Sequence, residues 1–352
     1  MFFASDNAGP AHPKVIDALT KANTGYASGY GAEPMMDVVR DRVREIFEAP
    51  EAAVYLVANG TAANSLLLAT LSKPWETIFC ADISHVQEDE CNAPEFYSGA
   101  KLTLVQTENA KMTPQTLQRA ILKENTRGVH GPQRGPVTIT QATEKGSVHT
   151  LAELQALTGV AREYGLKTHM DGARFTNALV HLGCTAAEMT WKSGIDAVSF
   201  GGTKNGLMGV ECCIIFDTAQ AWEFELRRKR GAHLFSKHRY LSAQMLAFLT
   251  DDLWLDMARA ANARMARLVA GLRQIASVEI AFEPQANLVF VRFSRKLHQR
   301  LHAAGAVYYI YDGDHQTGEP DEMLTARFVC DWSATEASVD QLLAAFGANS
   351  AL

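Results

Sequence analysis

The sequence predicts an α/β fold: a mainly parallel sheet carrying helices, followed by a small α+β C-terminal domain. Three observations predict it. Short apolar segments rich in β-branched residues alternate with helix-compatible ones through the first two thirds of the chain. Those segments read as near-continuous apolar runs, the pattern of strands buried on both faces. The last third changes character, opening with a long helix-compatible stretch before strands and helices resume.

The elements follow in order. Ala53–Ala58 reads as a buried strand, then an Asn59-Gly60 turn and a helix from Thr61 to Leu71. Thr77–Cys80 and Leu102–Val105 are short strands. Thr113–Leu122 is helical, with Thr113 as N-cap and Pro114 at the first helical position. Val137–Thr140 is a strand, and Leu151–Tyr164 a helix that stops at Gly165. Lys167–Asp171, Ala197–Phe200 and Val210–Phe216 are strands, with a helix at Ala173–Leu182. Leu241 to about Ile275 reads as one long helix leading into the last domain. There, Ala286–Phe293 and Leu324–Val329 are strands, Arg295–Ala304 is a helix, and Ser333-Ala334-Thr335-Glu336 fits a capping box for a final helix. The division this suggests is an N-terminal arm (1–14), a large domain (15–245) and a small C-terminal domain (246–352).

Composition narrows the function. The 352 residues carry 33 Lys+Arg against 39 Asp+Glu, a net charge of −6. That charge offers no polyanion surface, so no nucleic-acid partner is expected. The most basic stretch, Arg227–Arg230, reads as a solvated face or an anion-binding edge. No apolar stretch approaches the ~18 residues of a membrane span. The N-terminus lacks the basic-then-apolar pattern of a secretory signal. Six cysteines without C-x-x-C spacing argue against a disulfide framework or zinc ribbon and suit a reducing, cytoplasmic setting.

Four segments carry chemistry. Asn59-Gly60-Thr61 opens a helix after a strand, where free N–H groups, the helix dipole and the Thr61 hydroxyl suit a phosphate; the plainer reading is a strand–helix turn capped by Thr61. His169-Met170-Asp171-Gly172-Ala173-Arg174 ends a strand with a carboxylate aimed at the crevice where α/β ligands bind. That carboxylate suits a cationic ring nitrogen, and Arg174 a carboxylate or phenolate; an ion pair capping the next helix is the alternative. His169 and Asp171 as metal ligands are set aside, on the expectation that their side chains leave opposite faces of the strand. Phe200-Gly201-Gly202-Thr203-Lys204-Asn205-Gly206 presents one lysine on a glycine-rich turn hemmed by apolar strands. Burial lowers a lysine pKa, as a carbonyl-condensing lysine requires; an exposed turn lysine is the alternative. His85 follows a strand and could stack on a ring or act as a base. The acidic residues after it, Glu88-Asp89-Glu90, read by default as a solvated helix face.

In this order the segments resemble the fold-type I pyridoxal-phosphate (PLP) enzymes, and most closely the threonine aldolase/β-eliminating lyase family. The resemblance also runs through Ala4–Asn7, Gly29–Gly31, Ala81–Glu95, Thr138–Glu144, Asn287–Val291 and Ala326–Phe328, nearly the whole chain in collinear order. It implies a seven-stranded large-domain sheet, and PLP bound through Lys204. Asp171 would face the ring nitrogen, His85 would stack on the ring, and Gly60, Thr61 and Thr203 would complete the cofactor site. Ser5, Arg174 and Arg327 would bind the substrate α-carboxylate, with Arg174 also near the ring hydroxyl, and His85 would be the base. Arg239 sits where relatives carry an arginine in a glycine-rich segment, but here the context is Ser236-Lys237-His238-Arg239-Tyr240. Tyr30 would come from a neighbouring subunit. The implied activity is retro-aldol cleavage of L-threonine and related L-β-hydroxy-α-amino acids to glycine and an aldehyde, in a homotetramer with sites at subunit interfaces. The alternatives are another fold-type I activity (β-elimination or amino transfer) and a non-catalytic binding protein. No metal is expected.

Overall fold

The computed structural model describes residues 1–347; the expected small domain runs on to 352, outside the described residues. Its larger sheet has seven strands: β1 (Ala53–Val57), β2 (Glu76–Ala81), β3 (Lys101–Val105), β4 (Gln133–Thr140), β5 (Thr168–Gly172), β6 (Ala197–Gly201) and β7 (Glu211–Ile215). Their spatial order is β1-β7-β6-β5-β4-β2-β3. β3, β2, β4, β5 and β6 run parallel to one another, whereas β7 runs antiparallel to both β6 and β1. The cause is local: segment 202–210 is too short for a crossover helix, so the chain can only turn back. β5, β6 and β7 are buried along their whole length, in accord with their apolar reading.

The smaller sheet is antiparallel, with β8 (Glu279–Ile280), β9 (Leu288–Ser294), β10 (Tyr309–Asp312) and β11 (Met323–Val329) in the order β10-β11-β9-β8. The N-terminal arm joins it. Phe3 donates its N–H to Val307 and accepts from Val329, both at 2.8 Å, and its side chain is part of that unit's core.

The structure corrects several expectations. The stretch 241–275 is two helices, Arg239–Leu249 and Leu253–Leu272, because Asp251 and Asp252 adopt left-handed φ of 52° and 53°. The second of these helices serves both cores: Leu253, Trp254 and Met257 pack into the larger one, Met265, Leu268 and Leu272 into the smaller. The final helix is capped two residues later than expected, by reciprocal Thr335 and Ser338 bonds, while Ser333 turns to Asp331. Arg227–Arg230 is the last turn of a helix, Ala221–Arg230, in which Arg228 is buried with its guanidinium 5.0 Å from the Tyr55 ring centre. Helices Pro13–Ala22 and Pro34–Ile46 lie outside the expected set.

Two contacts hold the site's scaffold. Phe200 on β6 is fully buried, with ring centres of Phe175, Phe47 and Trp254 at 5.2, 5.5 and 5.7 Å. Lys145 is buried with its ammonium 3.7 Å from the Tyr311 ring centre and 4.7 and 4.9 Å from those of Phe282 and Phe290. This aromatic cage ties the 143–147 turn of the large unit to the small one.

Candidate active site

The segments singled out in the sequence follow the carboxyl ends of the parallel strands and of β1, the edge where α/β proteins bind ligands. After β1, Asn59 caps the helix Gly60–Leu71 by accepting the Ala62 N–H at 2.9 Å. Asn59 rather than Thr61 is therefore the cap. The first helical N–H groups lack intrahelical acceptors, and they and the Thr61 hydroxyl remain available to an anion.

One turn along, Asn64 is buried and begins a chain of hydrogen bonds. Its Nδ2 donates to Asp171 Oδ2 at 3.0 Å and to Glu90 Oε1 at 2.8 Å. Glu90 Oε1 also meets His85 Nδ1 at 2.8 Å. Asp171 Oδ1 accepts the Ala173 N–H at 3.0 Å, which holds the carboxylate at the strand end. The Glu90 bond raises the His85 pKa against the opposing effect of burial. Burial raises that of Glu90. The backbone N–H of His85 is taken by Glu144 at 3.0 Å, whose burial lifts its pKa to about 7.

The expectation for the acidic run is thus corrected. The helix covers only His85–Glu88; Glu88 and Asp89 are exposed, but left-handed Cys91 and Asn92 turn the chain so that Glu90 points inward. His169 and Asp171 do not leave opposite faces of the strand as expected, because residues two apart on a strand share a face. What removes His169 from metal binding is its partners: Thr138 Oγ1 and Ser199 Oγ occupy its two ring nitrogens, both at 2.9 Å.

Lys204 lies in a single 3-10 turn after β6. The two glycines before it are required by close packing: a Cβ on Gly201 would fall 2.5 Å from the Ala173 carbonyl oxygen, and one on Gly202 2.6 Å from that of Val210. Burial, followed by the nearby Arg174 charge, holds Lys204 below the ordinary lysine value. Glu211 on β7 accepts the Gly202 N–H at 2.7 Å and is raised by burial to about 7. Thr203 Oγ1 is buried beside the Glu211 carboxylate, and its hydroxyl works against the effect of burial there.

Arg174 makes a two-pronged pair with Asp6 of the arm, Nε to Oδ2 at 2.8 Å and Nη2 to Oδ1 at 2.9 Å. Asn287 adds a third bond to Asp6 at 3.0 Å. Burial pushes Asp6 up, yet Arg174, Lys204 and these bonds leave it below the ordinary carboxylate value. Arg327 on β11 reaches back to the Ala4 carbonyl at 3.3 Å, beside half-buried Ser5, and its Nε is buried without a partner. The small unit and the arm thus place Arg327, Ser5 and Asp6 around Arg174.

Tyr30 and Arg239 lie elsewhere in this chain. Tyr30 is 52 % exposed, bonds through its N–H to the Ser236 carbonyl at 3.2 Å and has the Lys229 ammonium 5.1 Å from its ring centre. Arg239 donates to the Gly25 carbonyl at 2.9 Å. Neither hydrogen-bonds, pairs or stacks with a residue of the Lys204 cluster.

Asp6, Asn64, Glu90, Glu144 and Glu211 carry no assigned role in the sequence reading. Asn64 left a faint signal, as an amide side chain in a helix otherwise made of small, hydroxyl and apolar residues. Asp6 and Glu144 act through contacts far along the chain, and Glu90 and Glu211 through backbone turns that no residue pattern announces.

The donor set fits PLP. A helix start with Thr61 can receive a phosphate, Asp171 a protonated ring nitrogen, and a lysine of lowered pKa a carbonyl carbon.

Comparison with known proteins agrees. The chain is 41 % identical over 344 residues to a low specificity L-threonine aldolase from a Pseudomonas species, spanning 97 % of this chain and 96 % of that protein. It is 40 % identical over 342 residues to the protein of that name from Pseudomonas aeruginosa, spanning 97 % and 95 %. Its fold superposes on a threonine aldolase structure from Leishmania major with a TM-score of 0.91 at 23 % identity, covering 99 % and 98 % of the two chains. A Sphingomonas wittichii serine palmitoyltransferase shares the fold at a TM-score of 0.73 and 16 % identity, covering 99 % and 86 %. With residues 3–296 matching the β-eliminating lyase family, and full-length relatives at this level of identity, the chain belongs to that family.

Proposed function

We propose that this protein is a PLP-dependent aldehyde-lyase that cleaves L-threonine, L-allo-threonine and related L-β-hydroxy-α-amino acids, phenylserine included, to glycine and an aldehyde, reversibly. The observation that carries the reading is the convergence of Lys204, Asp171 and the Gly60 helix start at one sheet edge, in a chain so similar throughout to low specificity L-threonine aldolases.

The cofactor is pyridoxal 5′-phosphate. Gly60, Thr61 and Thr203 would hold its phosphate, Asp171 its ring nitrogen, His85 a ring face and Lys204 its carbonyl carbon. Bound there, it serves as the electron sink that lets the Cα–Cβ bond of the amino acid break. The chain's own groups do the rest. Lys204, whose pKa burial lowers, gives up its proton more readily than an exposed lysine, and it would later accept and return protons near Cα. Arg174, Arg327 and Ser5 hold the α-carboxylate, which fixes rotation about Cα and so selects the bond that breaks. His85 takes the β-hydroxyl proton at Nε2, its basicity raised by Glu90.

The protein would act as a cytoplasmic homotetramer, a dimer of dimers, with Tyr30 and Arg239 serving a neighbouring subunit's site. An exposed apolar surface that includes Tyr26, Tyr30, Met208 and Phe235 supports a covered face in that region. Among the described residues no helix is long and apolar enough to cross a membrane.

The test is incubation with PLP and L-threonine without any keto acid. Glycine and acetaldehyde in equal amounts support the proposal. Ammonia with 2-oxobutanoate would replace it with β-elimination, a need for a keto-acid acceptor with amino transfer, and cofactor uptake without any turnover with a binding protein.

A further inference from the structure

We infer that Glu90 and Asn64 are positioning residues of the active site, which together hold the His85 imidazole in one tautomer and tie it to Asp171. The inference rests on the reading of His85 given above and deepens it.

The hydrogen-bond chain admits few proton arrangements. Asn64 Nδ2 lies between two carboxylate oxygens, Glu90 Oε1 at 2.8 Å and Asp171 Oδ2 at 3.0 Å. Only the amide NH₂ can satisfy both, since an amide oxygen there would face two acceptors. Asn64 Oδ1 is accordingly the buried atom left without a partner. Glu90 Oε1, an acceptor already bonded by Asn64, takes its second hydrogen from His85 Nδ1 at 2.8 Å. The neutral ring therefore carries its proton on Nδ1 and keeps the Nε2 lone pair free for chemistry.

The same bonds explain how two acidic groups share one small volume. The Glu90 side chain is fully buried and Asp171 is 2 % exposed. Such a pair is costly unless a donor stands between them, and Asn64 donates to both. Asp171 and Lys204 act on His85 through space, and Glu144 fixes its backbone through the N–H at 3.0 Å. Glu144 thus holds the main chain, and Glu90 sets the ring.

The experiment uses the cofactor-loaded enzyme with ¹⁵N-labelled histidine, the His85 signals being those lost in His85→Asn. In the wild-type protein Nδ1 carries the proton and Nε2 does not, a result that needs no change at Glu90 or Asn64. In Glu90→Gln, which keeps shape and an acceptor but removes the charge, the His85 pKa falls by about one unit. The acid limb of kcat/KM moves down with it. In Asn64→Ala the visible absorbance of the bound cofactor titrates at a shifted pH, because Asp171 Oδ2 has lost the Asn64 donor and keeps only the Ala173 N–H on Oδ1. An Nε2–H tautomer in the wild type, or a His85 pKa unmoved in Glu90→Gln, overturns the inference; an unchanged cofactor titration in Asn64→Ala removes Asn64 from it. Absence of threonine cleavage would sink the functional reading alone, since tautomer and pKa are read from the ring itself.

Discussion

Arg174→Ala tests whether the arm is locked to the active site by charge. The Asp6 side chain is 1 % exposed and that of Arg174 12 %, so removing the guanidinium leaves a carboxylate in a nearly water-free position with Asn287 as its remaining hydrogen-bonding side chain. Breaking a buried pair from one side costs about 3–5 kcal/mol. With an unfolding entropy near 2.1 cal/mol/K per residue, a chain of this length loses about 4–7 °C in Tm. The pH dependence supplies a second signature. In the wild type Asp6 sits below its ordinary value, so its contribution is complete above the unfolded pKa and is lost as pH falls through the folded one. In the variant burial is opposed mainly by Asn287 and Lys204, so the Asp6 pKa rises and protonation relieves the unpaired charge. The stability gap between the two proteins is therefore widest near neutrality and narrows below about pH 4. Calorimetry of the cofactor-loaded proteins from pH 3.5 to 7.5 measures this, with Asp6→Asn in both backgrounds to close a double-mutant cycle. A Tm loss under 1–2 °C, or a gap independent of pH, would refute the reasoning.

Arg327→Ala should raise the KM for L-threonine tenfold or more with a smaller effect on kcat, and steady-state kinetics showing an unchanged KM would remove it from the carboxylate site. His169 is held at about 4 by burial. The unfolded chain therefore binds a proton from about pH 6.5, and wild-type stability falls between there and pH 4 by up to about 3 kcal/mol. His169→Gln should flatten that slope in denaturant titrations, and an identical slope would contradict it. Phe200→Ala should cost about 3–5 kcal/mol through the cavity it leaves behind the lysine turn, and a loss below 1 kcal/mol by chemical denaturation would show that the aromatic cluster does not brace β6.

Much of this architecture is legible in the sequence because it is written locally. β5, β6 and β7 announce themselves by apolar runs, and the Pro114 helix by its Thr113 cap, which the structure shows in reciprocal bonds with Thr116. Lys204, Asp171 and Gly60 could be singled out because each sits at a strand end, where side-chain chemistry and backbone geometry coincide. What escaped is non-local. Nothing near residue 6 says that its carboxylate will meet Arg174, 168 positions away. Glu90 reads as surface because its neighbours are, and two left-handed residues after it decide otherwise. The break at Asp251-Asp252 is hidden for a related reason: the apolar spacing continues on either side, and only the backbone reveals the turn.

Every proposed step turns on Lys204 as the residue that holds the cofactor. Borohydride reduction of the cofactor-loaded enzyme followed by peptide mapping tests this most directly. The reduced pyridoxyl phosphate label is expected on the peptide carrying Lys204 and on no other lysine; label on a different lysine, or none at full cofactor occupancy, would rule Lys204 out.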